Sequence, residues 1–244
     1  MLPILYQNHD LVIYSYPLLM GFGWGVAYQI FFASAEVKTQ FAQILFWGIF
    51  VCSWIGSKIF FYLTTDSLQD QQILTQASFW TGGGFVFYGG FVFAMLFLAI
   101  YKLLRLPLNL NTLWAMLPAV TLGHAIGRIG CLLAGCCFGK ETHLWWGIEL
   151  HGAYRHPTQA LESIGLILVS VFLLKSKRSL SSFAIYFLGY GFLRFSIEIL
   201  RGDEIRGLWG YFTPSQWISL ILIATGLILI IYNKFKHLSV SEAK

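Results

Sequence analysis

Ser215-Gln216-Trp217-Ile218-Ser219-Leu220-Ile221-Leu222-Ile223-Ala224-Thr225-Gly226-Leu227-Ile228-Leu229-Ile230-Ile231-Tyr232 runs for eighteen residues without a charged side chain. A helix of about 20 mostly apolar residues crosses the hydrocarbon core of a bilayer, so this stretch reads as a membrane span. Working back toward the N-terminus, six more stretches share its character: Leu180–Leu200, Pro157–Leu174, Leu106–Ile126, Gly82–Tyr101, Thr39–Leu63 and Val12–Phe32. The composition agrees. Of 244 residues, 57% are hydrophobic and only 11% charged, whereas a soluble domain carries about 25% charged residues. Aromatic residues make up 18%, with 22 Phe and 9 Trp, which suits a surface in contact with acyl chains and headgroups. A secreted domain, a disordered tail and a cytosolic enzyme are excluded. The expected fold class is all-α, a polytopic membrane protein with seven transmembrane helices and glycine-rich irregular segments. Residues 1–244 form a single integral membrane domain in this reading.

The formal charge of +5 is dispersed between apolar runs, with no long basic block, so nucleic acid is not an expected partner. Orientation follows from Lys and Arg in the short loops. With the N-terminus outside, the inner loops hold Lys38, Lys102, Arg105, Lys175, Lys177, Arg178, Lys234, Lys236 and Lys244. The outer loops hold Lys140, Arg155, Arg201 and Arg206. Nine against four favours N-out and C-in. The first ten residues lack a basic n-region, so no cleavable signal peptide is expected. No internal repeat is visible, which weakens a transporter reading.

Ionisable groups at bilayer depth are costly and face a bundle interior or an aqueous cavity. In the sixth span Arg194, Glu198 and Arg201 stand at i, i+4 and i+7 and share one helical face. Two guanidinium groups and one carboxylate leave a positive stripe, and guanidinium forks suit bidentate phosphate binding. A triad that only ties this helix to its neighbours is the plainer alternative. Buried ion pairs are poor stabilisers compared with apolar packing, which favours the functional reading.

Segment 127–156 is a long connection whose apolar stretch Ile129–Phe138 is too short to cross, and a re-entrant piece is one expectation. If the preceding helix continues instead, His124, Arg128 and Cys131 share a face. Cys131, Cys136 and Cys137 lie beside that arginine. Adjacent cysteines do not easily serve one tetrahedral ion, so structural or redox thiols are expected ahead of a metal. Five glycines between Gly82 and Gly90 make poor helix material and point to an irregular segment lining a cavity, where Tyr88 could offer its hydroxyl. Pro157 fits a first helical turn, and Gln159 and Glu162, three apart, can face one pocket. Lys58, inside the second span, either pairs with a carboxylate or snorkels.

Taken together these motifs resemble the bacterial prolipoprotein diacylglyceryl transferase family. The resemblance runs through Tyr16, Gly56–Tyr62, Trp80–Gly90, Gly127–Gly130, Arg155–Gln159 with Glu162, and Arg194–Asp203, in order along most of the chain. It departs from the family pattern at Lys58, where an arginine is usual, and at Tyr88, where a histidine is usual. Cys131 and Ala134 replace asparagines, and Cys136 replaces a glutamate. The chain therefore looks like a divergent member.

The resemblance implies seven transmembrane helices, with the N-terminus outside the bacterial cytoplasmic (inner) membrane. It implies transfer of a diacylglyceryl group from phosphatidylglycerol, or a related phospholipid, to a lipobox cysteine in a prolipoprotein or to another thiol acceptor. Glycerol phosphate leaves, with no metal and no soluble cofactor. Arg128 and Arg194 are expected on the phosphate, with Glu198 orienting Arg194 and Arg201 as an outer steering contact. Tyr88 is expected to position the leaving group, and His156 or His124 to accept the proton. Tyr16, Lys58, His124, Cys131, Gln159, Glu162 and Arg201 are the expected substrate-binding residues. A transporter or binding protein for lipids or small anions is the alternative class.

Overall fold

The computed structural model describes residues 1–8, 12–33, 40–64, 71–177, 179–202 and 209–242. A short hairpin, β1 (Ile4–Gln7) and β2 (Val12–Tyr14), leads into helix α1 (Ser15–Ala33). Then come α2 (Gln40–Thr64), a 3-10 turn at Gln71–Thr75, the one-turn α3 (Ala77–Thr81), α4 (Phe87–Leu103) and α5 (Leu110–Ala134). A second hairpin, β3 (Ile148–Leu150) and β4 (Ala153–Arg155), precedes α6 (Thr158–Lys175), α7 (Leu180–Leu200) and α8 (Pro214–Glu242). Five of these helices, α2, α5, α6, α7 and Pro214–Lys236 of α8, are long and apolar enough to cross a membrane. With the 19-residue α1 and the 17-residue α4, each of the seven expected stretches holds one long helix.

Small residues set how closely these helices approach, as packing between helices in lipid requires. A Cβ at Gly23 would meet the Gly123 carbonyl, and one at Gly123 the Gly23 carbonyl, so α1 and α5 touch backbone to backbone. Gly56 of α2 and Gly89 of α4 form the same kind of contact. Ser163 and Ser170 of α6 donate to the carbonyls of Ala125 and Pro118 on α5. Leu193 of α7 packs on Gly165 of α6, and Ile223 of α8 on Gly191 of α7. The residue numbers rise on one helix of each pair as they fall on the other, so every pair is antiparallel. The N-terminal ends of α1, α4, α6 and α8 therefore share one end of the bundle with the C-terminal ends of α2, α5 and α7. Nearer the opposite end Phe31, Phe46, Trp114 and Ala119 form an apolar core between α1, α2 and α5.

Three sequence expectations need correction. Ile129–Phe138 is not re-entrant: α5 runs unbroken to Ala134 and ends where Gly135 adopts a left-handed φ of 75°. Gly130 lies within this helix, and Tyr16 and Leu19 of α1 pack onto it. The third span is shorter than Gly82–Tyr101, since Gly82–Val86 is irregular and the helix starts at Phe87. The first span likewise starts at Ser15, with Val12–Tyr14 in a strand. The β3–β4 turn at His151-Gly152 has positive φ at both residues, 54° and 75°, the signature of a type I′ hairpin turn. Thr39, Lys38, Arg178, Asp203, Arg206 and Lys244 lie outside the described residues.

Candidate active site

At the end of the bundle defined above, α6 brings Glu162 between α5 and α7. Glu162 is 2% exposed. Arg128 Nη2 of α5 lies 2.8 Å from Glu162 Oε2, and Arg194 Nη1 of α7 lies 3.8 Å from the same oxygen. His124 Nε2, one turn before Arg128, is 3.9 Å from Oε1. The helix-continues reading of that segment thus holds, and two arginines from separate helices meet on one carboxylate. Arg194 Nη2 donates to Glu198 Oε2 at 2.6 Å and to Ser215 Oγ at 3.0 Å. Thr213 donates to Glu198 Oε1 at 3.0 Å, and Arg201 Nε stands 3.9 Å from Glu198 Oε2.

Among the described residues, three guanidinium groups meet two carboxylates in this buried network. The donors are also incompletely used. Arg128 Nε and Nη2 and Arg194 Nη1 make no hydrogen bond among the described residues, the Arg128–Glu162 contact being an ion pair without hydrogen-bond alignment. Unsatisfied buried donors are rare and costly in a purely structural role. An anionic group accepting from both arginines would complete them.

A second cluster adjoins Arg128. The sulfur atoms of Cys131, Cys136 and Cys137 all lie within 4.8 Å of one another, and none is in a disulfide. Arg128 Nη1 contacts Cys131 Sγ at 3.7 Å. Gln159 donates to the Cys136 carbonyl at 2.6 Å and Thr158 to the Cys137 carbonyl at 2.8 Å, so the first turn of α6 clamps the Cys-Cys turn. Cys136 Sγ donates to the Cys131 carbonyl at 3.7 Å, which ties the turn back to α5.

Lys58 belongs to a third group. It is 0% exposed, so it does not snorkel, and among the described residues it pairs with no carboxylate. Its Nζ donates to the carbonyls of Gly82 and Gly83 at 3.0 and 2.7 Å and stands 4.0 Å over the Phe85 ring. Phe85 in turn meets the Tyr16 ring, centroids 5.7 Å apart, and Tyr16 covers Gly130 beside Cys131. The glycine segment is therefore anchored by Lys58 and joined to the thiol side of the site through Tyr16.

The structure thus gathers Arg128, Arg194, Arg201, Glu198, Glu162, His124, Cys131, Gln159 and Tyr16, and sets Tyr88 and His156 apart. Tyr88, at the start of α4, is 46% exposed, and its ring packs on Phe87. His156 sits at the base of the hairpin, where its Nδ1 accepts from Trp146 Nε1 at 3.1 Å. In the neutral ring that leaves Nε2–H as a donor and no free lone pair. Arg201, expected as an outer steering contact, is 7% exposed and bridged through its backbone to Gly139. α7 ends at Leu200, so Arg201 stands just past the helix, from where its Nε still reaches Glu198 Oε2 at 3.9 Å.

Thr213 and Ser215 were not foreseen. Their signal was a Thr-x-x-Gln capping box: Thr213 N donates to Gln216 Oε1 at 3.0 Å, and Gln216 N to Thr213 Oγ1 at 3.3 Å. That cap fixes both hydroxyls beside Arg194 and Glu198.

Residues 3–232 match the family described as prolipoprotein diacylglyceryl transferase. The chain is 31% identical over 249 residues to the phosphatidylglycerol–prolipoprotein diacylglyceryl transferase 2 of Clostridium perfringens, covering 96% of each protein. It is 30% identical over 253 residues to the corresponding transferase of Clostridium tetani, covering 97% of this chain and 99% of that one. A Finegoldia magna relative of the same name is 35% identical over 168 residues, covering 67% of this chain and 66% of its own.

Proposed function

This chain belongs to the prolipoprotein diacylglyceryl transferase family, and on that footing we propose that it moves the diacylglyceryl group of phosphatidylglycerol to a prolipoprotein cysteine thiol at the Arg128–Glu162–Arg194 cluster. The activity is that of a phosphatidylglycerol–prolipoprotein diacylglyceryl transferase, and it sets aside the transport reading. In the proposed step the acceptor sulfur attacks the glycerol carbon that bears the phosphodiester. A carbon–sulfur bond forms, the carbon–oxygen bond to phosphate breaks, and glycerol phosphate leaves with the bonding pair. The thiol proton passes to a nearby base.

Arg128 and Arg194 bind the phosphate through the donors that no described residue satisfies. Glu162 holds the two guanidinium groups together, and Glu198, Thr213 and Ser215 fix Arg194. His124, beside Glu162, is the proton acceptor in this assignment, since Trp146 already occupies the lone pair of His156. A thiol of pKa about 8.5 needs only modest help from such a base in a positive field. Half-exposed Tyr88 contacts incoming substrate rather than the reacting atoms.

All seven long helices cross the inner membrane in this reading, with the N-terminus outside and the C-terminus in the cytoplasm. Lys102, Arg105, Lys175, Lys177, Lys234 and Lys236 then lie on the inner side, as the positive-inside rule asks. The cluster falls in the outer half of the bilayer, where a secreted precursor presents its cysteine.

Convergence of arginines from α5 and α7 on one buried carboxylate carries this proposal. Purified protein incubated with phosphatidylglycerol and a lipobox peptide should yield the diacylglyceryl thioether by mass spectrometry. Arg128→Gln and Arg194→Gln should each lower turnover by about 10²–10³-fold, the scale for losing one preorganised oxyanion donor. Near-wild-type turnover from both folded variants would eliminate the assignment.

A further inference from the structure

We propose that Cys131, Cys136 and Cys137 form a binding site for one soft monovalent cation of the copper(I) class, held by three sulfurs. With metal–sulfur bonds of about 2.3 Å, three sulfurs around one ion in a plane stand about 4 Å apart. The three Sγ atoms here already lie within 4.8 Å of one another. The objection that adjacent cysteines do not serve a tetrahedral ion does not reach a three-coordinate set. Left-handed backbone at Gly135 and at Cys137, φ 75° and 62°, folds the chain back after α5. That return brings both later thiols to Cys131.

The site is built rather than accidental. Cys131 is buried on α5, and the carbonyls of Cys136 and Cys137 are clamped by Gln159 and Thr158, both fully buried. Preorganised ligands of this kind are what a metal site requires of its supporting shell. Cys136 is exposed and gives the ion a route in. A cation stands beside the thiols: Arg128 Nη1 contacts Cys131 Sγ at 3.7 Å.

The donor set selects the ion. Only sulfur ligands converge here among the described residues, with no imidazole or carboxylate in the cluster. Thiolates select soft ions such as copper(I), while hard cations demand oxygen. Zinc in structural sites is almost always four-coordinate, and this cluster offers three protein ligands.

The test is titration of the purified full-length protein, thiols reduced and oxygen excluded, with copper(I) in competition with a chromophoric copper(I) chelator. Lipid and peptide are absent, so the result is independent of the transferase assignment and a failed transfer assay leaves it standing. One equivalent should be retained, with X-ray absorption showing sulfur neighbours only. Cys136→Ser and Cys137→Ser should each weaken retention beyond the roughly 10- to 100-fold that loss of an outer-sphere contact costs. Cys52→Ser, on α2, should retain the full equivalent. Cys136 is exposed, so its serine variant is expected to fold, and a monodisperse elution profile checks this. Retention unchanged in both Cys136→Ser and Cys137→Ser would overturn the proposal. So would loss of all copper to the chelator by the wild type, or nitrogen or oxygen as the main neighbours.

Discussion

Replacing Glu162 by Gln keeps the side chain's shape and removes the one charge that Arg128 and Arg194 share. The carboxylate is almost fully buried, so solvent cannot take its place. The network loses one negative charge, and the arginines of α5 and α7 are left to repel each other. Removing one partner of a buried ion pair costs about 3–5 kcal/mol, and the residual hydrogen bonding of an amide places this case near 3 kcal/mol. At about 2–4 °C per kcal/mol for a chain of this size, the expected fall in Tm is roughly 6–12 °C. The assay is thermal unfolding of the purified protein in one detergent, followed by tryptophan fluorescence. A second arm uses Arg128→Gln alone and Glu162→Gln/Arg128→Gln together. The double variant removes one charge of each sign, so its loss should be smaller than the sum of the two single losses. A shift below about 2 °C for Glu162→Gln, or strict additivity in the double variant, refutes the claim that this carboxylate joins the two arginines.

Three further outcomes follow from other parts of the molecule. Lys58→Met leaves the carbonyls of Gly82 and Gly83 without their charged donor, at about 1.5–3 kcal/mol for each charge-assisted bond. Limited proteolysis should then cut within residues 82–86 faster than in wild type, and equal cleavage rates would contradict an anchoring role for Lys58. Gly123→Val places a branched side chain against the Gly23 carbonyl, and an overpacked contact of this kind costs about 1–3 kcal/mol, read as a lowered Tm. If His124 rather than His156 takes the thiol proton, His124→Gln should lower kcat by about 10²-fold while His156→Gln leaves kcat nearly unchanged. The reverse ranking would transfer the base to His156.

The helical face of Arg194 and Glu198 was legible because both lie within one unbroken apolar helix, where a separation of four fixes their neighbourhood. Arg201 obeyed the same arithmetic only in part: its side chain still reaches Glu198, but from outside the helix. The helix stops one residue earlier, and β-bridging to Gly139 captures the backbone of that arginine. Glu162 was recognisable as an anomalous charge, but its three partners come from two other helices, and no periodicity within α6 reveals which helices flank it. Lys58 misled for a related reason. A buried ammonium suggests a carboxylate partner, whereas an irregular glycine segment supplies two carbonyls that no helix would leave free. The convergence of Cys131 with Cys136 and Cys137 depends on two left-handed residues. Gly135 advertises one of them; a cysteine in that conformation gives no sequence signal.

On the proposed assignment, the charge balance of the site bears on rate as well as on affinity. The phosphodiester of a phospholipid carries one negative charge, and as the carbon–oxygen bond breaks a second develops on the departing phosphate. A site with many more cations than carboxylates would hold the substrate tightly without favouring its reaction, because interactions equal in ground and transition states do not raise kcat. Here Glu162 and Glu198 cancel most of the arginine charge, so the resting pull on a monoanion is restrained. As charge builds on the leaving oxygen, Arg128 and Arg194 can shift their donors from carboxylate to phosphate. The gain is then realised mainly as the bond breaks. Glycerol phosphate should accordingly bind better than an uncharged glycerol, and its advantage should shrink when Arg194 is replaced by Gln. Equal protection of wild type and Arg194→Gln by glycerol phosphate, measured as a rise in Tm, would place the phosphate elsewhere.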